Sequence, residues 1–254
     1  FKNYPIFGVG NKNYRIESQI ILAKDYGVPQ NRPRVLLVGV RSDLDISNWN
    51  DSKKVANGFL PEPSYNPPDI IDLLGDLIDP NYTNGGKTSN YPNSANNEIQ
   101  KYFRAQKDGS TMNKGYKLIE QDYSKHSAEI IEKFKYMIKN KGLISDNFKT
   151  KKFSQRLLPA YWGSNGPNIT ATSLPDDYVH FLQPRILTVR EWARLQGFPD
   201  WYIFEGKRTT GGLRRAGNPR EGIFDRELPK YTQIGNAVPV LLAKSIGNHF
   251  KKVL

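Results

Sequence analysis

The chain has 254 residues, with 37 basic and 25 acidic side chains and a formal net charge of +12. Its pI is near 9.6 and its mean hydropathy −0.64, and no stretch approaches the roughly 18 apolar residues that a bilayer span requires. Cysteine is absent, which excludes disulfides, thiolate zinc sites, iron–sulfur clusters and a cysteine nucleophile supplied by this chain.

The excess charge is uneven. Residues 1–40 carry net +4, 41–100 net −5, 101–156 net +8 and 157–254 net +5. A basic middle and end suits a polyanion, because clustered Lys and Arg release counterions from phosphates; a solvated lysine-rich surface is the other reading. An aromatic content of 12% is too high for a disordered chain.

In chain order, Tyr14 to Gln19 partly alternates and runs into the apolar Ile20-Ile21-Leu22. Gly27 and Pro29 break the chain before Val35-Leu36-Leu37-Val38-Gly39-Val40, a run expected of a strand covered on both faces. Asp69 can cap a helix in which Ile70, Leu73, Leu74 and Leu77 share one face. Residues 81–97 are polar and turn-forming and read as a long loop. A second helix is expected near Ser127 to Lys141, with Ile130, Ile131, Phe134, Met137 and Ile138 as its apolar stripe and Gly142 ending it. Thr188-Val189-Arg190-Glu191 has capping-box spacing, Leu187 and Trp192 the spacing of a hydrophobic staple, and Gly197 closes that helix. This start requires no functional explanation. The last helix is read from about Ala237 to Phe250, with Pro239 in its first turn and Val238, Leu241, Leu242 and Ile246 as its buried face.

Few residues have the pattern of a metal or phosphate site. His126, His180 and His249 lack metal-ligand spacing, Gly8-Val9-Gly10 is an incomplete glycine pair, and no phosphate-cradling loop occurs. Two clusters carry more. Gln30, Arg32 and Arg34 alternate, so they fall on one side of an extended segment and offer donors to a phosphate or a base carbonyl; a salt-bridged strand end fits equally. Gly235 and Asn236 are read at the mouth of the last helix, where free N–H groups and an amide can meet a polar ligand, or simply cap the helix. Between them, residues 207–220 combine glycines with Arg208, Arg214, Arg215 and Arg220, as a backbone-contacting or merely basic loop does.

Three segments resemble motifs of the DNA cytosine-5 methyltransferases, and they stand in that family's order. Asp25 to Arg34 is similar to its Gln-x-Arg-x-Arg motif, Arg185 to Asp200 to the motif that follows its target-recognition region, and Gln233 to Pro239 to its closing Gly-Asn-x-Val motif; Pro68 to Leu77 and Asn168-Ile169-Thr170 match more weakly. The resemblance implies an α/β fold: residues 1–42 and 229–254 as C-terminal strands and final helix of a Rossmann-like methyltransferase domain, and 43–228, including helix 188–197, as a mixed α+β target-recognition domain. It implies that Arg34 faces a flipped cytosine with Arg32 and Gln30 supporting it, and that Asn236, with Gly235 and Val238 shaping the turn, helps hold S-adenosylmethionine. No metal is implied. Arg156, Asn168, Thr170, Arg208 and Arg214 are the expected contacts to double-stranded DNA.

The family's Phe-x-Gly-x-Gly loop, Pro-Cys nucleophile and Glu-Asn-Val motifs have no counterpart here, although the family's reaction needs a thiolate at C6 of cytosine. The expectation is therefore the target-recognition and C-terminal part of a bacterial, cytoplasmic restriction–modification enzyme, inactive without an N-terminal catalytic half; Phe1 favours a truncation over a split-enzyme subunit. A stand-alone DNA-binding module is the alternative. A tRNA-modifying relative is the third reading, disfavoured by the roughly 140 residues between the first two motifs.

Overall fold

The computed structural model describes residues 6–7, 20–36, 38–39, 43, 61–63, 66–149, 155–163, 166–170, 175–209, 219–222, 224 and 227–253. Tyr14–Gln19, Gly8-Val9-Gly10, Arg214 and Arg215 lie outside them.

Strand β1 (Ile6–Phe7) pairs antiparallel with β4 (Val38–Gly39), and β2 (Ile20–Leu22) pairs antiparallel with β3 (Pro33–Val35), with Ile21 opposite Arg34. Among the described residues of the apolar run, Val35 and Val38–Gly39 belong to two separate antiparallel pairs with Leu36 in neither, and Leu37 and Val40 lie outside the described residues. The expected break between β2 and β3 is present, with Gly27 at φ +77° where an L side chain is strained.

Helix α1 (Ile70–Leu74) continues as a 3-10 turn, Gly75–Leu77, and buries Ile70, Leu73, Leu74 and Leu77. Asp69 sits at the N-cap, but its carboxylate accepts from the Trp162 backbone N–H and not from its own helix. The 81–97 segment is tied down rather than free-standing: bridges join Lys87 to Asp122 and Asn90 to Lys117, and Tyr91 is buried. Helix α2 (Glu98–Arg104), capped by Asn97, follows it; the sequence pattern had not disclosed this helix. Helix α3 (Ala128–Lys139) is capped by Ser127 and buries Phe134 and Met137 against Val179 and Ile186. Lys133, on the same helix, is buried and donates to Gln155.

Strands β5 (Arg156–Leu157) and β6 (Tyr178–Val179) form a short parallel pair. Helix α4 (Val189–Leu195) has its predicted capping box, with Thr188 accepting from the Glu191 N–H and the Glu191 carboxylate accepting from the Thr188 N–H. Every residue of α4 is buried, so its charged side chains must be paired to be tolerated. Arg194 reaches both Asp76 and Asp200; Arg104 also binds Asp76, and Tyr91 donates to Asp200. Arg185 forms two hydrogen bonds with Glu191. Burial alone would raise the Glu191 carboxyl, but Arg185 and the capping N–H hold it down at about 2.

Helix α5 (Lys230–Asn236) packs on α4, Tyr231 donating to the Leu187 carbonyl, and helix α6 (Val240–Val253) closes the chain. The reading of one helix from Ala237 is thus corrected. A break at residues 237–239 separates two helices, and the Ala243 N–H bonds to the Pro239 carbonyl as α6 begins. Leu242 is buried, whereas Val238 is 61% exposed and Leu241 and Ile246 are only partly covered. No helix of the described residues is long and apolar enough to cross a membrane.

Candidate functional site

The three motif segments, far apart in sequence, meet at one buried seam. Gln30 is fully buried; its Nε2 donates to the Leu195 carbonyl at 2.6 Å and to the side-chain Oε1 of Gln196. Arg32, 3% exposed, donates from Nη2 to the Gly235 carbonyl at 2.9 Å. Gln196, at the C-terminal end of α4, donates from its own Nε2 to the carbonyls of Ile234 (3.0 Å) and Ala237 (2.7 Å). The Ile234 and Gly235 carbonyls at the end of α5, and the Ala237 carbonyl just beyond it, thus accept from side chains of two other segments.

Two groups are left open at the edges of this seam. Arg34, on β3, is half-buried, and the one hydrogen bond of its side chain among the described residues runs to the adjacent Pro33 carbonyl. Partial burial lowers its pKa from the ordinary guanidinium value. Arg32 keeps Nε and Nη1 without a partner among the described residues. Asn236 is exposed, and no described residue hydrogen-bonds its side chain.

Asn236 and Gly235 are not at the mouth of the last helix. They end α5, where backbone carbonyls and not free N–H groups are presented, so any ligand there meets the Asn236 amide. Val238 stands exposed in the connection to α6. Arg34 and Asn236 belong to adjoining segments, linked through Arg32 and Gly235.

A second part of the site adjoins the first. The Asn31 N–H donates to the Pro167 carbonyl at 2.8 Å, and the Ile169 N–H donates to Gln30 Oε1 at 3.0 Å, which lays segment 166–170 against the Gln30 loop. Beside it an open groove of about 1290 Å³ is lined by Asn31, Lys141, Lys149, Arg156, Tyr161 and Asn168, among others. Arg156 is exposed, its guanidinium 4.6 Å from the Tyr178 ring centroid. The Asn168 Oδ1 is buried without a partner among the described residues. Thr170 follows, partly buried. Arg208 does not line this groove; it donates to the Asp122 carbonyl, and Arg214 is outside the described residues.

Gln196 is the site residue that sequence pattern alone did not single out. The available signal was an amide directly after an apolar helix end and before a glycine, at a place where the helix's own cap needs only backbone. Among the described residues, no group of three or more His, Asp or Glu is placed to hold a metal ion.

The family model for C-5 cytosine-specific DNA methylase matches residues 9–252, and the chain belongs to that family. It is 30% identical over 249 residues to Type II methyltransferase M.DdeI of Desulfomicrobium norvegicum, covering 93% of this chain and 54% of that protein. It is 29% identical to Type II methyltransferase M.MthTI of Methanothermobacter thermautotrophicus, covering 95% and 57%. This chain therefore spans a little over half the length of these relatives. A solved E. coli structure, described as a candidate DNA modification methyltransferase encoded within a prophage, superposes with a TM-score of 0.59 at 19% identity, covering 99% of this chain and 61% of that one. That likeness shows the fold, one of mixed helix and strand.

Proposed function

We propose that this chain is the target-recognition and C-terminal part of a type II restriction–modification DNA cytosine-5 methyltransferase, which methylates C5 of a cytosine flipped out of a specific duplex sequence. The single observation that carries this reading is the seam itself: buried Gln30, Arg32 and Gln196 join the three motif segments and leave Arg34 and Asn236 open. Residues 1–42 and 229–254 belong to the catalytic domain and 43–228 to the target-recognition domain.

A base must leave the stack before its ring carbon can be reached. Arg34, always charged, is suited to the O2 edge of such a cytosine, and its cost of partial desolvation is recovered when that oxygen accepts. Gln30 and Arg32 fix the strand that carries it. S-adenosylmethionine, when bound, supplies an electrophilic methyl group. The residues present fit it in part: Asn236 offers an amide that both donates and accepts, on a turn whose Ile234, Gly235 and Ala237 carbonyls already accept side-chain hydrogen bonds. Gly235 and Val238 shape that turn. Duplex DNA is read along the groove by Arg156 and Asn168 and beyond it by Thr170, with Arg208 and Arg214 on phosphates. The nucleophilic thiolate comes from a partner half bearing a Pro-Cys motif, because this sequence contains no cysteine.

The test is to combine this chain with such a half and compare Arg34→Ala and Asn236→Ala with the unsubstituted assembly. Arg34→Ala is expected to lower kcat about 100-fold, the scale of one lost transition-state donor, and Asn236→Ala to raise the cofactor KM. Unchanged kinetics in both variants contradict the proposal.

A further inference from the structure

We infer that Gln196 is a positioning residue for methyl transfer, the middle of an amide relay that couples the recognition segment to the turn bearing Asn236. This rests on the proposed function above. The relay runs in one direction. The Ile169 N–H donates to Gln30 Oε1, Gln30 Nε2 donates to Gln196 Oε1, and Gln196 Nε2 donates to the Ala237 and Ile234 carbonyls. Each amide accepts at one end and donates at the other, so the bonds polarise one another in the same sense. Reversing either amide would set oxygen against oxygen at one end and N–H against N–H at the other, so the chain of bonds fixes both orientations.

Capping α4 does not account for the side chain. The Gln196 backbone N–H already bonds to the Ala193 carbonyl and the Gly197 N–H to the Arg194 carbonyl, while the Gln196 carbonyl accepts from the Val240 N–H at 3.0 Å. Both Nε2 hydrogens are instead spent on the two carbonyls that bracket Gly235 and Asn236, while Oε1 holds the loop that leads through Arg32 to Arg34. Gln196 is fully buried, and its side-chain hydrogen bonds go to Gln30, Ile234 and Ala237 and to neither open side chain. It therefore acts through them, holding Asn236 and Arg34 in one fixed relation and tying that relation to the segment beside the groove.

The test is Gln196→Met, which keeps length and volume and removes every side-chain bond of the relay. It is assayed in the assembly of this chain with the Cys-bearing half, with S-adenosylmethionine carrying a labelled methyl group and unmodified plasmid DNA, each preparation corrected for active sites. We expect cofactor KM to rise and kcat to fall, each by about tenfold, the scale of a small misplacement of reacting groups, with DNA affinity within about twofold by gel shift because the groove's own residues are untouched. Gln30→Met, which cuts the same link from the other side, carries the same expectation should Gln196→Met fail to fold. Unaltered kinetics in the variant that folds overturn the inference while leaving the proposed function standing. So does a loss of active sites with KM unchanged, which marks a purely structural role. Absence of transfer by the unsubstituted assembly overturns the parent reading and this inference together.

Discussion

The charged cluster around α4 and the seam beside it use the same side-chain chemistry to opposite ends. In the cluster, Arg104, Arg185 and Arg194 are fully buried, and each faces a buried carboxylate. In the seam, Arg32 and two glutamines also bind internal groups, but these are mostly neutral backbone carbonyls, and the next residues out, Arg34 and Asn236, are left with little or no internal partner. A closed ion-pair network fixes three helices against one another. An amide network that satisfies carbonyls, and leaves its flanking side chains open, presents those side chains to something else. The difference separates arginines that hold the fold from arginines available to a ligand.

The largest effect that can break this contrast is Arg194→Met. It leaves Asp76 with Arg104 alone and Asp200 with the Tyr91 hydroxyl as its short-range partner, and is expected to cost about 3–5 kcal/mol, the loss typical when one partner of a buried pair is removed, measured by urea unfolding. Arg34→Met should stay within about 0.5 kcal/mol, as at ordinary partly exposed sites. Equal losses would erase the distinction.

The next effect is pH dependence. Burial and the adjacent Arg185 push His180 down to about 3, and its Nδ1 accepts two backbone N–H groups. The unfolded chain therefore takes up a proton near pH 6.5 that the fold refuses until about pH 3, so stability falls as pH drops through that window. Glu191, ionised in the fold down to about 2, adds a further loss below the unfolded carboxyl range near 4.5. Melting temperature should already decline between pH 6.5 and 5, and His180→Gln should flatten that part of the curve. A smaller change tests the backbone. Gly197, at φ +87°, would place a Cβ 3.4 Å from the Leu241 nitrogen, so Gly197→Ala should cost about 1–2 kcal/mol. Thr188→Ala, which removes the cap, should cost about 1 kcal/mol.

What was legible in the sequence was local. The capping box at Thr188 and Glu191 depends on residues three apart, and it forms as read. The Ser127 cap and the Gly142 stop behave likewise, with Gly142 at φ +93°. Helix α2 was not legible: its buried residues include Gln100 and Arg104, whose burial depends on bonds to Asp72 and Asp76 more than twenty residues earlier. Asn236 was recognised as a site residue but misplaced, because Pro239 suits the first turn of a helix beginning at Ala237 as well as the cap of one beginning at Val240. Gln196 was hidden for the same reason as α2, since its partners lie 166 and 41 residues away.

The most direct measurement is methyl incorporation into unmodified DNA by this chain alone and by the chain combined with a Cys-bearing half. We predict no label on cytosine C5 from the chain by itself and clear incorporation from the pair. Methylated cytosine produced by the isolated chain would contradict the account.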